Sequence, residues 1–221
     1  MAYFSKKFNQ FFIDLAPNNH KEWFDENRKT YEKEVKEPFK KFVGDLIERL
    51  KEYDPALNVE PKDSIFRINR DIRFAKDKTP YKMHLAAAIS RKGKKVHDYP
   101  GLYIHFGPEK VWIGGGAYSL SKEKLEDVRR EIAAKPKEFL KAINDKDFVE
   151  TYGEIQGEAH KRIPKEFKEV AEEVPLIANK QFYYMAEYPT KTLERDDLLE
   201  FVVDHYRKAL PVHQFLAKAL K

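Results

Sequence analysis

Gly101-Leu102-Tyr103-Ile104-His105-Phe106-Gly107-Pro108-Glu109-Lys110-Val111-Trp112-Ile113-Gly114-Gly115-Gly116 is the stretch on which the fold turns. Residues 101–106 and 111–113 are short runs rich in β-branched and aromatic side chains. Between them, Gly107-Pro108-Glu109-Lys110 has the composition of a turn. The stretch predicts an antiparallel hairpin, with the triple glycine following its second strand.

Working outward, residues 65–74, 83–90 and 181–188 read as further strands. Helices are expected at both ends. Phe8, Phe11, Phe12 and Leu15 have helical spacing, and Asn19-His20-Lys21-Glu22 reads as an N-cap followed by a Glu that reaches back to it. Pro38 opens a helix carrying Phe39, Phe42, Val43, Leu46, Ile47 and Leu50 at the 3.6-residue period. Ser121, Pro136, Pro164 and Pro211 mark further helix starts, and residues 198–210 and 211–220 form the last two helices. Helices on both sides of a block of neighbouring strands predict an α+β fold, with a mostly antiparallel central sheet flanked by N-terminal and C-terminal helices. No repeat or Gly/Ser linker divides the chain, so residues 1–221 are read as a single domain.

Composition narrows the chemistry. The 221 residues contain no cysteine, which excludes disulfides, thiolate metal sites and cysteine nucleophiles. No apolar run approaches a membrane span, and the expectation is a soluble, cytoplasmic protein without a membrane partner. The net charge of +5 is unevenly placed: residues 62–95 hold eleven Lys or Arg against three Asp, a net of +8, which leaves −3 for the remainder. One basic segment on a slightly acidic body favours an anionic partner.

That segment contains Phe66-Arg67-Ile68-Asn69-Arg70-Asp71-Ile72-Arg73-Phe74. Read as a strand, it places Arg67, Asn69, Asp71 and Arg73 on one face and Phe66, Ile68, Ile72 and Phe74 on the other. Arginine forks suit phosphate and carboxylate, and Asp71 could orient one of them. Arg67 and Arg73 would stand roughly 20 Å apart, too far for one small anion. Arg70 falls on the apolar face and reads as a structural anchor. Lys78 and Lys82 would stand at the rim of such a site, with Tyr103 nearby. Gly114, Gly115 and Gly116 could bring free N–H groups to an anion, although a tight sheet bend explains them equally well. Trp23, Asn27 and Tyr31 share a helix face that either covers a pocket or belongs to the core.

Of the seven histidines, His20, His84, His97, His105, His160, His205 and His213, none pairs with another at metal-ligand spacing, and no metal site is expected. His84 and His105 are the candidate proton carriers, together with Asp71.

The chain resembles a family of bacterial and fungal proteins known as domain of unknown function 2461. The resemblance rests on Asn18-Asn19, Lys21-Glu22-Trp23-Phe24, Asn27-Arg28 and Tyr31, on residues 66–74 with Lys76-Asp77-Lys78 and Pro80-Tyr81-Lys82, and on the triple glycine. It spans most of the chain and implies one full-length domain. It brings no activity, cofactor or catalytic residue.

The functional expectation is therefore binding of a phosphorylated or carboxylated small molecule through an Arg-rich sheet face, with catalysis left open. The first alternative is a nucleic-acid-binding module using residues 62–95. The second is a structural or interaction protein whose arginines form an internal salt-bridge lattice. Neither a cofactor nor an oligomeric state is legible.

Overall fold

A computed structural model describes residues 2–96 and 98–221; His97 lies outside them. The fold mixes helix and sheet, as the sequence predicts. Strands β1 (Leu85–Ile89), β2 (Gly101–Phe106), β3 (Val111–Ala117) and β4 (Phe182–Tyr188) form an antiparallel sheet in the order β1-β2-β3-β4. The hairpin is β2–β3, with Phe106 opposite Val111 and Ile104 opposite Ile113. Its second strand continues through the glycines instead of ending at Ile113, because both β2 and β4 offer it ladder partners.

Helices cover one face of the sheet. Leu102, Ile104, Phe106, Ile113, Phe182 and Tyr184 point into that layer and are buried. The Phe106 ring meets Phe39 at 5.6 Å and Phe42 at 5.3 Å, both on the helix Glu37–Leu50. Tyr184 meets Phe148 at 5.2 Å and Tyr152 at 4.7 Å on Lys146–Tyr152. Burial of each such side chain contributes about 1.5–3 kcal/mol, which makes this layer the main source of stability.

Two helix starts differ from expectation. Pro38 does not begin a new helix: a π-helical turn, Tyr31–Lys36, runs directly into Glu37–Leu50. The cap before Lys21–Glu26 is His20, whose Nδ1 accepts from the Trp23 N–H at 3.4 Å. Asn19 is engaged elsewhere. Its side chain donates to the Tyr81 carbonyl and accepts from the Tyr81 N–H, each at 3.0 Å. Phe24 stacks on the Tyr81 ring at 4.0 Å. The two longest sequence motifs thus meet here, one clamping the other. Asn19→Ala should cost about 1–3 kcal/mol by stranding two backbone groups, read as a lower urea midpoint and faster proteolysis between residues 68 and 82.

Residues 65–74 are not a strand. Ile65 bridges to Ala87 and the Phe66 N–H donates to the Ala86 carbonyl at 2.9 Å, after which the chain leaves the sheet. It forms an arm closed by the Asn69–Tyr81 bridge and by Arg70 N–H to Pro80 O at 2.8 Å. Arg67, Asn69, Asp71 and Arg73 therefore do not form a row on a sheet face. Local charge pairing accompanies the bend. Asp71 accepts from the Arg73 N–H at 3.3 Å and binds its guanidinium at 2.7 Å, which is turn geometry. Arg70 is half-buried and holds Asp77 and Thr79, so it anchors the arm but not from an apolar strand face.

Candidate ligand-binding site

The face of the sheet turned away from the helices carries a different set of side chains. Across the strands, register aligns Ala88, Tyr103, Gly114 and Met185 in one row, and Ala86, His105, Trp112 and Glu187 in the next. Gly101, Gly116 and Tyr183 form a third. Small residues lie low while aromatic rings stand up around them. A cavity of about 700 Å³ occupies this face, within the usual size range for small-molecule sites. Its ends are walled from beyond the sheet, by Phe66 at the β1 edge and by Gln156, which bridges to Tyr183, at the β4 edge.

The structure brings together only part of the predicted site. Tyr103, Gly115 and Gly116 line the cavity, whereas Arg67, Asn69, Asp71, Arg73, Lys78 and Lys82 do not. Gly114 lies beneath Met185, because a Cβ there would stand 2.7 Å from its sulfur. The three glycines pair with strands on both sides, so their N–H groups serve the ladders instead of an open anion nest. Their small size is what the sheet uses: a Cβ on Gly115 would lie 2.4 Å from the Gly101 carbonyl.

His84 and His105 do converge. Their rings stack at 3.8 Å, and His105 meets Trp112 at 4.5 Å beside the cavity. Burial pushes His84 down to about 4, helped by Lys82, and His105 down to about 3, helped by His84 and Lys110. Both are neutral at pH 7 and would act there as hydrogen-bonding groups. His105 Nδ1 is buried and has no partner among the described residues. Burial likewise pushes His213, packed against Tyr206, down to about 4.

These depressed values fix the sign of a pH effect. Unfolded imidazoles take up protons below 6.5, while the folded ones resist until about 4. The stability contributed by their neutrality is complete above pH 6.5 and is lost as the pH falls through that window. His213 alone should account for about 3 kcal/mol by pH 4, and the half-exposed pair for less. Urea unfolding at pH 7, 5.5 and 4.5 should show this decline, and His213→Leu should flatten it.

Cations gather at the β1 rim. Lys94 lines the cavity and its Nζ donates to the carbonyls of Lys62 and Ile65. Lys82 lies over the Phe66 ring at 5.7 Å and donates to the Arg67 carbonyl at 3.1 Å. Burial lowers the pKa of both. Neither they nor Arg67 have a carboxylate within salt-bridge distance among the described residues. The other arginines of the segment differ: Arg73 pairs with Asp71 and Arg91 with Asp54, each at 2.7 Å, and Arg70 pairs with Asp77. The internal lattice thus accounts for three arginines and leaves Arg67 out. Lys78 Nζ likewise donates to a carbonyl, that of Ile72 at 2.9 Å, but away from the cavity lining. At the opposite corner, Glu187 accepts from Lys110 at 2.9 Å and from Trp112 Nε1 at 3.0 Å. No three His, Asp or Glu side chains are grouped as a metal ion would need, among the described residues.

Sequence reasoning missed Trp112, Gln156, Tyr183 and Lys94 as site residues. Alternation in β4 already places Tyr183, Met185 and Glu187 on one face, but only the register shows that Trp112 shares it.

The chain belongs to the family described as conserved hypothetical protein (DUF2461), whose model matches residues 7–215. No curated protein and no solved structure matches it. No helix among the described residues is long and apolar enough to cross a membrane.

Proposed function

We propose that this protein binds a small molecule that combines a flat, largely apolar body with a phosphate or carboxylate group. The observation that carries this reading is the aromatic cavity on the sheet face that no helix covers. Phe66, Tyr103, Trp112 and Tyr183 offer surfaces on which a flat ring can stack. Lys82 and Lys94 supply the anion contact, since neither is held in a salt bridge with a carboxylate among the described residues, although Asp63 lies near Lys94. The Arg-rich contact expected from the sequence is thereby moved from Arg67, Asn69, Asp71 and Arg73 to these two lysines, with Arg67 at the outer edge. Residues 1–221 are read as one domain, because helices from both ends of the chain pack on the same sheet.

The test is a comparison of paired ligands that differ in one anionic group. Lys82→Ala/Lys94→Ala should weaken the anionic member about tenfold, the size of one charged hydrogen bond, and leave the neutral member unchanged. Equal losses for both members, measured calorimetrically, would remove the lysines from the reading.

The second reading is single-stranded nucleic acid laid across the same face. It is favoured by the +8 segment running along the β1 edge beside the half-buried aromatic rings of the cavity. It differs in predicting affinity that falls steeply with salt.

A further inference from the structure

We propose that the cavity reads the hydrogen-bonding edge of a nucleobase, presented either by a mononucleotide or by a single strand; this rests on the binding reading above. The fold leaves several polar groups of the cavity unpaired. Gln156 is fixed by its backbone, which exchanges hydrogen bonds with Tyr183 at 2.7 and 3.2 Å. Its side chain lines the cavity, half-buried, and makes no hydrogen bond among the described residues. The phenols of Tyr103 and Tyr183 line it too and are equally unpaired. Tyr118 packs edge-on against Tyr183 at 5.1 Å and holds that ring upright.

A carboxamide offers donors and an acceptor side by side, and a partner with the complementary pair satisfies both at once. Benzenoid acids lack such an edge, and sugars lack the flat face that the aromatic walls require. Nucleobases have both. Between Tyr103 and Tyr183 the inner strand carries Gly114, which Met185 covers, and Gly116, whose lack of a side chain leaves a slot for a ring.

Distance supports the same class. Gln156 and Phe66 lie five strand spacings apart across the sheet, roughly 24 Å. Side chains reaching inward from both edges shorten the gap between the amide and the lysines. The remainder exceeds inorganic phosphate or a simple carboxylate, and suits a base separated from its phosphate by a sugar, or a longer strand.

The experiment follows Trp112 fluorescence in a Trp23→Phe background, which leaves Trp112 as the chain's single tryptophan. The probes are the four ribonucleoside 5′-monophosphates, 1-naphthyl phosphate and a single-stranded decanucleotide, each at two salt concentrations. At least one monophosphate or the decanucleotide should bind tenfold or more tightly than naphthyl phosphate. Gln156→Leu should abolish that preference while leaving naphthyl phosphate binding and the melting temperature unchanged. Tighter, salt-sensitive binding of the decanucleotide would make the strand the source of the base; equal or tighter binding of a monophosphate would make it the free nucleotide. If naphthyl phosphate binds as well as every nucleotide probe, or if Gln156→Leu leaves the preference intact, edge recognition is wrong and the cavity reading survives. Failure of every probe to bind overturns both.

Discussion

Gly116→Ala is expected to destabilise the protein by about 4 kcal/mol, which for a chain of this size lowers Tm by roughly 8–16 °C. Two costs combine. Gly116 has φ of +102°, a region that residues with a Cβ rarely enter, and holding alanine there costs about 1–3 kcal/mol. The added Cβ would also stand 2.2 Å from the Phe182 carbonyl oxygen, so β3 and β4 must separate at additional cost. That contact is with backbone and cannot be relieved by a rotamer change. β3 is an inner strand, paired with β2 and β4, so the damage reaches both ladders and the cavity floor. Calorimetric melting of the variant measures the effect. A loss below 1 kcal/mol would mean that the strand bends easily here, and that the glycines are retained for the cavity alone.

Ala88→Phe has the opposite character: binding should fall at least a hundredfold while the fold is kept. Ala88 lies on β1 opposite Tyr103, with its methyl in the cavity and its surface partly open. A phenyl group there occupies the space that a ligand ring needs. The protein should tolerate it, because Phe suits a strand and a Phe–Tyr cross-strand pair contributes about 0.2–1 kcal/mol. Tm should move by no more than about 2–4 °C, the equivalent of 1 kcal/mol. The variant therefore separates the two places where a ligand could sit. A site on the basic arm would be indifferent to position 88.

The sequence carried much of this architecture because the signals were local. Gly107-Pro108 marked the β2–β3 turn, and the stripe from Phe39 to Leu50 marked the helix facing Phe106. The alternation in residues 65–74 misled for a physical reason. A period of two also arises when charges alternate with aliphatics in a bent arm, where Asp71, Asp77 and Thr79 bind the neighbouring arginines. Spacing alone does not reveal which carboxylate an arginine will find.

The candidate site was harder to read than the fold. Tyr103 and the glycines drew notice by composition, but Trp112, Tyr183 and Gln156 acquire meaning only through register, since β4 lies some seventy residues from β3 in the chain. Aromatic residues also occur on both faces of β4: Tyr184 belongs to the core and Tyr183 to the cavity. Helix placement decides between them, and that is a property of the whole fold. Lys94 was visible as a member of a basic loop. Its difference from Arg91, a cation held by backbone carbonyls against one paired with Asp54, emerged only in three dimensions.

The central claim is that ligand binds on the uncovered sheet face and not on the arginine-bearing arm. Its most direct test is a thermal-shift screen of phosphates, nucleotides and carboxylates on the wild-type protein, Ala88→Phe and Arg73→Ala, since a ligand raises Tm by mass action. The account predicts a selective shift that survives Arg73→Ala and disappears in Ala88→Phe. A shift retained in Ala88→Phe and lost in Arg73→Ala would contradict it and return the site to the arm.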